Sequence, residues 1–207
     1  MSRSIHRLLS SRAALAALLA FGVLAAGCAG TSAVSDIRYD FGPPTQSAAA
    51  SRLPAVKVLE VGAPPVLESD RLIYRLSYAD AQQTAAYANS HWTMMPSQLL
   101  TQRLRNALSE RGTVLTGADG VAAPVLRVDL TEFEQVFDSQ TNSRGAITAR
   151  ATLMRDGKVV GQQTFVASAP AHSADAAGAA RALAAASDDL VAQITTWLGS
   201  QALVAAQ

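Results

Sequence analysis

An α+β fold is predicted for this chain: a single domain whose mixed or largely antiparallel sheet carries a meander in its C-terminal half and is covered by two amphipathic helices. Three observations support it. Long segments of alternating apolar character follow one another in the second half, two of them joined by an Asp-Gly pair. An apolar period of three and four begins at Ser97, and a long alanine-rich segment free of proline closes the chain. Antiparallel strands of this kind bury one face and need a cover, which two helices supply.

In order, Ile37, Tyr39 and Phe41 alternate as on a half-buried strand that Gly42-Pro43-Pro44 stops. Residues 45–52 form a small, polar connection. Val56, Val58 and Val61 place a strand over residues 55–61, and a further strand follows over 71–76. Residues 84–89 form a short strand leading into His91-Trp92. Leu100, Leu104, Ala107 and Leu108 then mark one face of a helix that starts at Pro96-Ser97 and stops at Gly112, with Arg103, Arg105, Glu110 and Arg111 on its wet face.

Residues 124–138 are apolar at even positions through Leu130 and at odd positions from Phe133, a phase shift that one extra residue near Thr131, a β-bulge, would produce. Strands over 145–154 and 159–167 form a hairpin whose Asp156-Gly157 supplies the positive φ of a tight turn. Leu183, Leu190, Ile194 and Trp197 share one face of a helix over 173–199, and the alanines between them permit close approach to a sheet.

The first 27 residues have separate chemistry. Arg3, His6, Arg7 and Arg12 precede an uncharged run over residues 13–26, shorter than the roughly 20 residues of a membrane-spanning helix but suited to a signal peptide. The run ends at Leu24-Ala25-Ala26-Gly27-Cys28, which holds the chain's only cysteine. This resembles the bacterial lipobox, with Ala25 where leucine is usual. The resemblance implies cleavage before Cys28 and acylation of its thiol. The expected organisation is a signal peptide over 1–27, a lipidated tether over 28–36, one domain over 37–200 and a tail over 201–207.

The whole chain has 17 basic and 16 acidic residues. Loss of Arg3, Arg7 and Arg12 leaves 14 against 16, a net charge of −2, so no basic field points to nucleic acid or to acidic headgroups. With Cys28 acylated no thiol remains for a disulfide or a metal, and His91 and His172 form no metal-ligand spacing. No phosphate-binding glycine loop occurs: Gly112, Gly117 and Gly120 read as turn chemistry. Asp188-Asp189 reads as a solvated helix face, since adjacent helical residues point about 100° apart. The expectation is a protein that is not an enzyme and takes no cofactor.

The stretch Tyr87-Ala88-Asn89-Ser90-His91-Trp92-Thr93-Met94-Met95-Pro96, with Tyr74-Arg75 before it, Tyr39 to Pro43 at the start and Leu99 to Leu108 after it, resembles the ABC-type transport auxiliary lipoproteins of PqiC type. The resemblance covers essentially the whole mature chain. It implies an accessory lipoprotein of an envelope system that moves lipids or other hydrophobic molecules, with an MCE-type substrate-binding protein and an ABC permease complex as partners. A homo-oligomer is compatible with it.

Ala29 after the cysteine lacks the aspartate of inner-membrane retention, which places the anchor in the outer membrane facing the periplasm. The alternative is an activator or scaffold of cell-wall synthesis or secretion machinery. A lipid carrier would instead need an apolar pocket on the order of several hundred Å3. Trp92 is open to two roles, a core anchor at the strand-to-helix junction or, with Met94 and Met95, an apolar contact for a partner or lipid.

Overall fold

Strand β6 (Val125–Phe137) is the spine of the sheet in the computed structural model, which describes residues 35–44 and 52–204. The expected signal peptide, Cys28, the first part of the tether and the last three residues lie outside the described residues. Along one edge β6 pairs antiparallel with β7 (Ser143–Arg155), which pairs antiparallel with β8 (Lys158–Pro170), giving the expected meander. Its other edge is shared. β2 (Val56–Val58) runs parallel to its N-terminal part and β3 (Arg71–Arg75) parallel to its C-terminal part. Beyond β2 lies the parallel β5 (Val114–Leu115). Beyond β3 lie the antiparallel β4 (Thr84–Trp92) and then β1 (Ile37–Tyr39), parallel to β4. The result is a mixed sheet of eight strands.

The β6 ladder with β7 shifts register between Leu130 and Glu132. The bulge therefore falls at Thr131, and it keeps Leu126, Val128 and Leu130 on the same buried face as Phe133. In the β7–β8 hairpin Asp156 and Gly157 have φ of 51° and 75°, as a two-residue turn with the twist of its strands requires. Arg155 and Lys158 pair directly across it. That ladder carries a second irregularity, between Leu153 and Met154, which the sequence pattern did not show.

Helix α1 (Pro96–Ser109) starts with proline at its first turn, where the missing N–H costs nothing. It fastens the strand beneath it. Thr101 Oγ1 accepts the Val61 N–H at 2.9 Å and donates to Ser97 O, while Arg105 donates twice to Val58 O at 2.9 and 3.2 Å. Those bonds follow a strand shorter than the sequence suggests. β2 ends at Val58; past it the Leu59 N–H still donates to Leu126 O, and Gly62 rejoins β6 through a bridge to Asp129. Gly112 also has a different use from the expected helix stop. A Cβ there would lie 2.4 Å from Leu53 O, so glycine is needed for close passage of the chain.

Helix α2 (Ala176–Val204) begins three residues later than expected and runs past Gly199 into the expected tail. It covers β6, β7 and β8 with Leu183, Leu190 and Ile194, each 0 % exposed, and with Ala179, Ala182 and Ala186. The alanines bring helix and sheet together so closely that a Cβ on Gly145 of β7 would stand 2.7 Å from the backbone of Ala182 and Leu183. Trp197 meets Phe165 edge to face at 5.8 Å. The opposite face of this part of the sheet carries Arg127, Arg150, Gln162, Thr164 and Val166, all exposed. The sheet is thus covered on one side. Among the described residues no helix is long and apolar enough to cross a membrane.

Asp175 sets the start of α2. Its carboxylate accepts the Gly178 N–H at 2.7 Å and the Ser173 hydroxyl at 2.7 Å. Those bonds, the Gly178 N–H first, hold its pKa below the ordinary carboxylate value. Asp175→Ala is expected to cost about 1 kcal/mol, as removal of an N-cap does. A depressed carboxylate pKa stabilises the fold above the unfolded-state value of about 3.9 and loses that contribution as pH falls through the folded-state value. Urea denaturation at pH 7 and at pH 3 checks both points: the gap between the wild type and Asp175→Ala should be smaller at the lower pH.

Candidate functional site

The motif residues gather in two clusters, one at the end of β4 and one at its middle. The first is built where β1 ends. Phe41 is buried and Gly42, with φ of 59°, turns the chain away from the sheet. Trp92, at the last position of β4 opposite Tyr39, is 0 % exposed and packs edge to face on Phe41 at 5.7 Å and on Phe133 at 5.6 Å. Phe41 and Phe133 stack at 6.0 Å. Of the two roles open to Trp92, burial gives its side chain the core. Its Nε1 has no acceptor among the described residues. Met94 and Met95 are half-buried at the corner between β4 and α1, and Met94 packs against the core.

Arg103 closes this cluster from α1, and its place corrects the sequence reading. Expected on the wet face, it is 7 % exposed. Nη2 donates to Phe41 O at 2.7 Å and to Gly42 O at 2.8 Å, the guanidinium lies 5.6 Å from the Phe41 ring centre, and Nη1 stands 3.1 Å from Asp188 Oδ1. That last approach lies off the axis of a hydrogen bond, so the contact is electrostatic. Asp188 is therefore no solvated-face residue either. It turns towards α1 as the counter-charge of Arg103, while its neighbour Asp189 is exposed. A buried charge held by carbonyls and a carboxylate ties β1, α1 and α2 at one point.

At the outer end of β1, Arg38 donates to Asp70 and to Trp92 O and pairs with Asp36. His91 lies 3.4 Å from Asp36 and 3.5 Å from Asp70. The hydrogen bond from Arg38 is the main reason that the Asp70 pKa falls below the ordinary value. These groups fix the point at which the chain enters the domain. Among the described residues no trio of His, Cys, Asp or Glu stands close enough to hold a metal ion.

The second cluster explains the Tyr74-Arg75 pair and Tyr87. The two tyrosine rings lie 4.9 Å apart and Tyr74 meets Phe137 edge to face at 6.0 Å. Tyr87 donates to Gln135 Oε1 at 2.7 Å, and Gln135 Nε2 donates on to Ser143 Oγ at 2.8 Å. Burial, with smaller contributions from Asp175 and Tyr74, pushes the Tyr87 pKa up to about 12, so the hydroxyl stays a donor. Arg75 binds both oxygens of Glu134, at 2.6 and 3.2 Å, and Ala81 O at 2.6 Å. This network bonds β3 and β4 to the C-terminal half of β6. Both clusters join distant segments, and neither sets a nucleophile beside a base.

The family model for the ABC-type transport auxiliary lipoprotein component matches residues 39–195, which contain both clusters. The chain belongs to that family. A lipoprotein component of a transport system is thereby associated with the cell envelope. The fold is similar to that in a crystal structure of a Xanthomonas campestris protein of the DUF330 family, 20 % identical, with a TM-score of 0.69 over 83 % of this chain and 96 % of that one. An uncharacterized protein matches with a TM-score of 0.63 at 17 % identity over 79 % and 99 % of the two chains. A hypothetical protein from Chlamydia trachomatis matches at 0.50 and 12 % over 74 % and 98 %. No curated protein matches. The motifs that carry the likeness, Tyr39 to Pro43, Tyr74-Arg75, Tyr87, Trp92, Pro96 and the helix after it, fall inside the matched range and act as fold anchors.

Proposed function

We propose that the protein is a non-enzymatic accessory subunit of an ABC/MCE-type envelope system for lipids or other hydrophobic molecules, held by acyl chains on Cys28 to the periplasmic face of the outer membrane. The observation that carries this reading is family membership over residues 39–195. The lipobox-like Leu24-Ala25-Ala26-Gly27-Cys28 supports the anchor, because two or more acyl chains give stable attachment at about 0.8 kcal/mol per buried methylene. Strand β1 begins at Ile37, so the tether from Cys28 reaches at most about 30 Å at about 3.3 Å per residue. The domain works close to the bilayer. It docks an MCE-type substrate-binding protein and the ABC permease complex, and Met94 and Met95, which keep part of their surface open beside buried Trp92, are the apolar contacts.

Two measurements test the proposal. Labelling cells with a radioactive fatty acid should mark the wild-type protein and not Cys28→Ser, and Cys28→Ser should move from the outer-membrane fraction to the soluble periplasm. Equal membrane retention of the variant would refute the anchor. Crosslinking in intact cells followed by purification should recover an MCE-type protein and a permease. Recovery of cell-wall synthases with no transport component would refute the transport role.

A further inference from the structure

A surface groove runs between β1 with the residues after it and the first half of α2. Its volume is about 300 Å3, at the small end of ligand sites. Ala177, Ala180 and Ala184 line its α2 side at helical spacing, and Arg38, Asp40 and Arg181 bring charge to it. We infer that this groove binds the zwitterionic headgroup of a membrane phospholipid, phosphate on Arg181 and ammonium on Asp40.

The charge distribution selects a zwitterion. Arg38 is committed: it donates to Asp70 at 3.0 Å and pairs with Asp36 at 3.0 Å. The hydrogen bond of Arg181 is a 3.5 Å contact with Ser173 Oγ, which leaves its guanidinium able to take a phosphate oxygen. Asp40 accepts the Gly42 N–H on Oδ1, and Oδ2 remains for a cation. An anion without a balancing ammonium would meet Asp40 on the β1 side and Asp175 near Arg181 on α2, with Arg38 held by Asp36 and Asp70 and Arg103 held by Asp188. A group carrying both signs places one charge on each available partner and adds no net charge. The alanine strip suits glycerol and the first methylenes of a chain, and it lacks the separate side-chain pockets by which grooves read peptides.

The groove also lies where a bilayer is in reach, a point that rests on the proposed acylation of Cys28. Arg38 lies ten positions after Cys28, at most about 33 Å away at about 3.3 Å per residue. The volume admits a headgroup and the start of its chains, so a whole diacyl lipid would stay partly in the membrane.

The test uses the mature chain with Cys28→Ser, which is unacylated; the compact unit Asp36–Gln207 carries its own core. Calorimetric titration with dihexanoyl phosphatidylethanolamine below its micelle concentration should show binding at least tenfold tighter than with dihexanoyl phosphatidylglycerol or inorganic phosphate. Arg181→Gln and Asp40→Asn should each weaken it about tenfold, the worth of about 1.4 kcal/mol. Ala184→Trp should abolish it by filling the groove, with thermal unfolding of Arg181→Gln, an exposed position, as the fold control. Equal affinity for phosphate or phosphatidylglycerol, indifference to Ala184→Trp, or capture of a peptide in place of lipid would each overturn the inference. Because the tested chain has no anchor, such a failure leaves the transport reading untouched.

Discussion

Trp92→Ala is expected to remove about 3–5 kcal/mol of stability, the range for emptying a large aromatic from a core. Domains of this size hold about 5–15 kcal/mol in all, so the variant should unfold at a much lower urea concentration and lose most of its folded population in cells. The reason is the position of the ring. Trp92 is 0 % exposed and touches both Phe41, which anchors the entering chain, and Phe133, which stands just after the bulge of β6. Its removal leaves these two rings facing a cavity that neither a three-residue β1 nor a thirteen-residue β6 can close without breaking ladder pairs. Trp92→Phe should cost clearly less, because it keeps an aromatic contact and deletes a buried N–H that has no acceptor. A Trp92→Ala loss under about 1 kcal/mol would show that the site collapses freely and that the aromatic cluster does not hold β1.

Arg103→Ala is expected to cost about 3–5 kcal/mol, the range for breaking a buried ion pair by removing one member. Asp188, with 18 % of its side chain exposed, would lose its counter-charge, and the carbonyls of Phe41 and Gly42 would lose their donor. Removing both charges together in Arg103→Met with Asp188→Leu should cost less than the sum of the single changes, since an apolar pair of similar volume avoids the desolvation of either charge. A double-mutant cycle in urea reads this coupling. Limited proteolysis gives a second readout: Arg103→Ala should be cleaved at a lower protease concentration than the wild type. Additive single losses would mean that the two side chains act independently, against the 3.1 Å contact.

Elements governed by local pattern were legible in the residues. The bulge at Thr131 shows as a change of phase because the side-chain period of a strand is two, and one inserted residue moves every later apolar position. The Asp156-Gly157 turn and helix α1 were legible for similar reasons: positive φ and a 3.6-residue period each demand particular residues. Strand β5 was not, since a two-residue strand has no period and forms only because β2 passes beside it. Strand β4 extends three residues beyond the pattern because β1 and Arg71 of β3 pair with its end.

Arg103 was misplaced for the same reason. Its charge assigns it to the wet face, although it stands three residues after Leu100 and four before Ala107, and a second helix covers it there and brings Asp188 to it. The groove was equally out of view, as its walls lie more than a hundred residues apart in sequence.

By itself the sequence determined the strand and helix periods, the hairpin turn, the bulge, the slightly acidic charge of the chain after residue 27, and the motifs by which the family is known. Only the tertiary structure decided that Trp92 lies wholly in the core, that Arg103 and Asp188 form a buried pair, and that Gly112 and Gly145 exist for close passage. Local pattern reports which residues avoid water along one element. Which polar side chain is buried, and which glycine has a neighbour's backbone against it, depends on the second element packed there, and that is set by the fold as a whole.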